Sequence, residues 1–216
     1  MRYCKSGNYQ MCVPHHVYGF HQVTQGAMAS YLLYPATALV HVVPEHVTPK
    51  HACFIEPFAC SLHAVELGNI QWNDVVVISG CGPLGLGMVA GARKKDPKAV
   101  IALDMVDWKL DIAKECGADV VLNPSKCNLM EEIMKMTDGL GCDVYIEATG
   151  AGGSVKSERL EENYGRIYIL CFRQGLNIIA RLGRFVEFSV FGRDVTCDWS
   201  IIGKIKTIKR RSIIFF

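Results

Sequence analysis

Little in this 216-residue chain favours recognition by charge. Lys and Arg number 23 against 21 Asp and Glu, for a formal net charge of +2. With no excess of either sign, no field gathers nucleic acid or an anionic membrane surface. Internal repeats and low-complexity stretches are missing as well, so neither a solenoid nor a flexible linker is expected. No cleavable leader pattern is read ahead of the ten cysteines, which are scattered through apolar segments. That usage speaks against a disulfide scaffold and for a reducing cytoplasm. A charge-free run of 18 residues from Val75 to Ala92 is interrupted by five glycines and a proline. Strand, turn and helix are therefore expected there, not a membrane span.

What the chain does contain is enough apolar residues, 50% of the total, to bury a core. The expected partner is a small molecule. From Phe20 to Val47, short β-rich runs are broken by Gly26, Pro35 and Pro44, a pattern of small strands and turns. Pro49 to Leu67 shifts to helical spacing, with Pro57 placed in a first turn where its missing N–H does little harm. After Trp72, "DVVVIS" reads as a buried strand, "GCGPLGLGMVAGARKK" as a glycine turn opening a helix, and "AVIALD" as a second strand. The alternation continues with a helix from Trp108 to Cys116, a strand at "DVVLN" and a helix from Leu129 to Met136. A strand at "DVYIEAT", a helix around Leu176 to Ala180 and a strand at "RFVEFS" complete it. Such spacing predicts a parallel sheet covered on both faces.

A lone GxGxxG is a weak signal. Here Gly80, Gly82 and Gly85 follow a buried strand and open a helix, and Asp104 ends the next strand 19 residues past the third glycine. Gly80 permits the tight turn, Gly82 lets backbone approach a diphosphate, and Gly85 lets helix and strand pack closely. The helix N-terminus adds free N–H groups and the positive end of a dipole. Asp104 would accept hydrogen bonds from ribose hydroxyls and repel a 2′-phosphate, which favours NAD over NADP. Lys109 is placed to reach the same ribose, or else is a solvated lysine of a first helical turn. With Thr149 at the end of its strand, the expected cofactor-binding set is Gly80, Gly82, Pro83, Leu84, Gly85, Asp104, Lys109 and Thr149. The bland reading leaves the glycines as a turn and Asp104 as a helix cap.

Near the start, Cys4 and Cys12 stand eight apart with Lys5, Gly7 and Asn8 between them, a loop composition. Two thiolates do not close a tetrahedral zinc shell.

With these residues in view, the chain resembles the zinc-containing medium-chain alcohol and polyol dehydrogenases, the group of sorbitol and threonine dehydrogenases. The likeness runs through "GAMASYLLYPATALVHVVPEHV", "IEPFACSLHAV", the glycine turn and "LNIIARLGRFVEFSVFG", most of residues 2 to 200. It implies an α/β fold: a doubly wound Rossmann sheet at 69–203, with a remnant of a β-rich, GroES-like catalytic domain at 1–68. An insertion at about 157–173 and an atypical tail at 204–216 are expected besides. It also implies that Cys4 and Cys12 are the third and fourth ligands of a structural zinc lobe, and that Glu56 carries a carboxylate to a catalytic zinc or its water. The first two lobe cysteines, and a Cys and His–Glu pair that bind the catalytic zinc, are expected upstream of Met1. Cys53 and Cys60, at helical spacing either side of Glu56, are weighed as soft alternative ligands against ordinary burial. His63 reads as a core histidine; His15, His16, His21 and His41 lack ligand spacing.

In such enzymes zinc binds the substrate hydroxyl as a Lewis acid and a hydride passes from the carbinol carbon to the nicotinamide. The resemblance thus implies a cytoplasmic, homo-oligomeric oxidoreductase using NAD and zinc on a secondary alcohol or polyol. Arg184 to Val190 is the stretch expected to pair subunits. Two departures are evident: "SERLEENYGRIYILCFR", 17 residues after Lys156, and the ending "KIKTIKRRSIIFF". The apolar half of the first is an aggregation risk if no sheet takes it up. Competing readings are a truncated, non-catalytic chain that binds NAD or pairs with an intact subunit, and a methyltransferase using S-adenosylmethionine.

Overall fold

The computed structural model describes residues 25–149 except positions 37 and 39, with residues 5, 6 and 18 before them and 175, 177–187 and 207–210 after them. The chain divides into two compact units, Met1–Glu56 with Ile214–Phe216, and Pro57–Ile213.

In the larger unit, continuous apolar runs make buried strands: β1 (Val75–Ser79), β2 (Ala99–Leu103), β3 (Val120–Leu122) and β4 (Cys142–Glu147). Two more follow, β5 (Ile179–Glu187) and β6 (Thr207–Arg210). All pairings are parallel and the strand order is β3-β2-β1-β4-β5-β6. Side chains alternate across the sheet, so each strand feeds two cores. Val76, Ile78, Val100, Ala102, Val144 and Ile146 pack on one face with Ala64, Met88 and Ala113. Those partners come from α2 (Ile55–Gly68), α3 (Pro83–Arg93) and α4 (Asp107–Glu115). Val77, Ile101, Tyr145 and Phe185 pack on the other with Ile133 of α5 (Leu129–Met136). This is the expected doubly wound sheet, and the run from Val75 to Ala92 is strand, turn and helix.

Four expectations are corrected. The described residues among 25–47 form turns, bends and extended backbone but no strand; a strand needs a ladder partner, and none runs beside them among the described residues. The helix expected from Pro49 to Leu67 is two, α1 (Pro49–Ala52) and α2. Pro57 lies in the first turn of α2, as expected; it cannot donate to the Cys53 carbonyl and its ring crowds that carbonyl, so the helix is interrupted at Cys53 and Phe54. Residues 175, 177 and 178 are helical, but Ile179 and Ala180 belong to β5, because Ile179 pairs with Cys142 ahead of a register shift. Finally, of the stretch from Arg184 to Val190 expected to pair subunits, Arg184–Glu187 lies between β4 and β6 and is no edge among the described strands, while residues 188–190 fall outside the described residues. Within the expected tail, Thr207–Arg210 forms β6; the expected insertion at 157–173 falls outside the described residues.

Candidate functional site

The strand order places β1 and β4 at the point where the sheet's connections reverse, which is where open α/β sheets leave a crevice at their carboxyl ends. Two crests flank it. On β1, Gly80 donates its N–H to Leu103 O at 2.8 Å and turns with φ +100°; a Cβ there would stand 2.8 Å from the Ala148 carbonyl. That backbone belongs to glycine. A Cβ on Gly85 would fall 1.7 Å from Gly80 O, so the first turn of α3 rests directly on the crest. At Gly82 the opposite holds: a Cβ would meet nothing within 4 Å.

That opening is lined by hydrogen-bond donors. Gly82 is the N-cap of α3 in an extended conformation with no side-chain cap, and Pro83 brings no N–H. The Leu86 N–H is on Gly82 O at 2.9 Å. Among the described residues the amides of Gly82, Leu84 and Gly85 have no protein partner, as the first turn of a helix dictates. Ser61 of α2 steadies this turn: its hydroxyl lies 2.8 Å from Leu84 O and 3.0 Å from Pro57 O.

Asp104 is not the cap of α4, whose N-cap, Val106, makes no side-chain cap bond. Its Oδ2 accepts the Cys81 N–H and its Oδ1 the Val106 N–H, both at 2.9 Å. The carboxylate thus ties the β1 crest to the β2 crest and keeps further lone pairs for a ligand's hydroxyls. Lys109 is half-buried on the first turn of α4, its Nζ 5.8 Å from the centre of the Trp108 ring. Burial and, after it, the Asp104 charge push the Cys81 thiol up to about 12, with Lys109 opposing them. Cys81 is therefore a neutral thiol and no nucleophile.

On the β4 side, Thr149 donates twice to Glu147 Oε1, from its N–H at 2.9 Å and its hydroxyl at 2.5 Å. Glu147 is fully buried and in register with Ser79. Burial raises its carboxyl to about 7; the Thr149 hydroxyl and N–H, Ser79 and Tyr145 oppose the rise. Sequence reasoning passed over Glu147, although one acid closing an otherwise apolar strand is a visible signal. It also passed over Asn123, buried at the end of β3, whose amide donates to Met105 O at 3.0 Å and Asp107 Oδ1 at 2.8 Å.

Residues 83–159 match the family described as zinc-binding dehydrogenase. Over 206 residues the chain is 50% identical to an erythritol/L-threitol dehydrogenase of Mycolicibacterium smegmatis, covering 95% of this chain and 52% of the relative. An L-threonine 3-dehydrogenase of Pyrococcus horikoshii is 31% identical over 207 residues, 95% of this chain and 53% of its own. The chain belongs to the zinc-binding dehydrogenase family. A solved zinc-binding dehydrogenase from Sinorhizobium meliloti, bound to NADP, superposes with a TM-score of 0.78 at 25% identity, over 96% of this chain and 57% of that one. The chain spans about half the length of the curated relatives it matches.

The family's metal is a separate question from its fold. Cys4 and Cys12 fall outside the described residues, as do His15, His16 and His21. Glu56 is half-buried in the first turn of α2. Of the two cysteines weighed beside it, Cys60 is buried in the core, while Cys53 is exposed and caps α1, its thiol donating to Lys50 O at 3.0 Å. Among the described residues no group of three or more His, Cys, Asp or Glu side chains could hold a metal ion. A pocket of about 200 Å³ lies against Pro124, Asn128 and Ile178 and contains none of the expected site residues. No described helix is long and apolar enough to cross a membrane.

Proposed function

We propose that the larger unit binds NAD across the β1–β4 crevice, and that the intact protein passes a hydride from a secondary alcohol or polyol to it. The observation that carries the reading is the open face at Gly82. A diphosphate placed there meets unpartnered amides at a helix start. Asp104, already held by two backbone N–H groups, offers its remaining lone pairs to the adenosine ribose without rearrangement. Its charge disfavours a 2′-phosphate, so NAD is preferred even though the neighbour from Sinorhizobium meliloti carries NADP. Pro83 and Leu84 shape the phosphate turn, and Lys109 and Thr149 border it on the two sides.

A polyol is favoured as substrate by the 50% identity with a protein named for erythritol and threitol. When bound, zinc would act as a Lewis acid on the substrate hydroxyl. The described residues alone form no such centre, so the catalytic role of Glu56 and the lobe role of Cys4 and Cys12 belong to the whole protein. A cytoplasmic location and a homo-oligomer are part of the same reading; the free thiols of Cys60, Cys81 and Cys142 fit a reducing compartment. A second reading is NAD binding without turnover by this chain.

The test is a titration of NADH, NADPH and S-adenosylmethionine into the chain, followed by energy transfer from Trp108, which is 62% exposed on α4. Quenching by NADH at lower concentration than NADPH, with no competition from S-adenosylmethionine, is expected. Indifference to both nicotinamide nucleotides would remove the reading. An alcohol and polyol panel with added zinc, run on this chain and on an upstream-extended one, separates turnover from binding alone.

A further inference from the structure

The proposal concerns the β4 side of the crevice and rests on the NAD reading above. We propose that Glu147 is a positioning residue for the nicotinamide half of the dinucleotide, acting through Thr149 to fix the crest after β4 against the crest after β1.

The geometry is that of a clamp at the switch point. Glu147 is fully buried on β4 in register with Ser79, the last residue of β1. A carboxylate there is costly unless several donors converge on it. Thr149 supplies two, its N–H and its hydroxyl, both to Oε1, and Tyr145 donates its hydroxyl to Oε2 at 3.3 Å. The Ala148 N–H is on Ser79 O at 2.8 Å, so the two crests are also stitched through backbone. The fit leaves little slack: even one carbon on Gly80 would meet Ala148 carbonyl and the Thr149 Cα at 2.8 and 3.0 Å. A shift of Thr149 therefore moves one wall of the crevice while Asp104, on the far side of β1, stays where it is. A dinucleotide runs across the crevice from the acid after β2 to the crest after β4. Its adenosine and diphosphate depend on Asp104 and the glycine turn, and what lies beyond the diphosphate depends on Thr149.

The experiment compares NADH with ADP, which has the adenosine and both phosphates but no nicotinamide ribose, by calorimetry on the full 216-residue chain. Thr149→Val removes one donor at constant shape, and Glu147→Gln removes the charge at constant size. Each should weaken NADH about tenfold, the scale of a hydrogen bond to a charged group, and leave ADP within about twofold. Thr149→Ser, which keeps the hydroxyl, should restore NADH binding. Because Glu147 is buried, the Thr149 pair carries the test if Glu147→Gln fails to fold. Unchanged NADH affinity in Thr149→Val, or equal losses for NADH and ADP, overturns the positioning role while leaving NAD binding intact. A folded wild-type chain that binds neither nucleotide removes the NAD reading and, with it, this inference.

Discussion

Residues 25–47 and residues 75–149 are both rich in short apolar runs, yet only the second region becomes sheet. In the first, Met28, Tyr31, Leu33 and Val42 are each more than four-fifths exposed; in the second, Val76, Val77, Ile78 and Ile101 are wholly buried. The two differ in what the neighbouring text provides. β1, β2 and β3 are each followed by a helix that returns the chain to the sheet, where β2 and β3 extend it on one side and β4 joins β1 on the other, so ladder and cover are both supplied. The first region has hydrogen-bonded turns that start at Pro35 and Pro44 but no such return among the described residues. β-propensity is therefore realised only where a partner is supplied.

The largest expected effect separates two glycines of one turn. Gly85→Ala must push a carbon to within 1.7 Å of a backbone oxygen. It should destabilise the larger unit by about 3 kcal/mol or more, read as a lowered urea midpoint. Ile78→Ala, in the core of β1, should cost roughly 3 kcal/mol by the same measurement.

These positions also show how far the sequence alone reaches. The order of elements after Trp72, the turn glycines and Asp104 are legible because each is dictated by neighbours within a few residues. Gly82 is singled out by the same local pattern, and the structure leaves open space where its Cβ would stand. Glu147 is not so marked, because Thr149 lies two residues away but the Ser79 hydroxyl reaches it only through the pairing of β1 with β4. The start of β5 at Ile179 is likewise set by its pairing with Cys142, which no local spacing reveals.

pH sharpens the contrast between a buried acid and exposed ones. Glu147 rises in the folded chain from 4.5 to about 7, so between those values the folded state holds a proton that the unfolded chain has released. Its contribution to stability is complete below about pH 4.5 and is lost as pH rises through about 7, a change of roughly 3 kcal/mol. Among the described residues the groups facing it are Thr149, Ser79 and Tyr145. Urea midpoints from pH 5 to pH 8 should fall for the wild type and stay flatter for Glu147→Gln; parallel profiles would show that another group sets the slope.

Smaller still is the effect of Asp104→Ala. Losing the ribose acceptor and the negative charge together should weaken NAD about tenfold and narrow the preference over NADP. Unchanged affinities for both would leave Asp104 as no more than the tie between Cys81 and Val106. Val42→Ser, at a side chain 92% exposed, should shift stability by less than about 0.5 kcal/mol. A loss as large as that of Ile78→Ala would mean that the first region is packed after all.

The most direct test of the account is calorimetric titration of NADH into the folded wild-type chain and into Gly82→Val. At Gly82 an added side chain enters open space, so thermal unfolding should be unchanged while the diphosphate is blocked. A one-site heat from the wild type and none from Gly82→Val is the predicted result. Equal heats from the two proteins, or silence from a folded wild type toward both NADH and NAD, would contradict it.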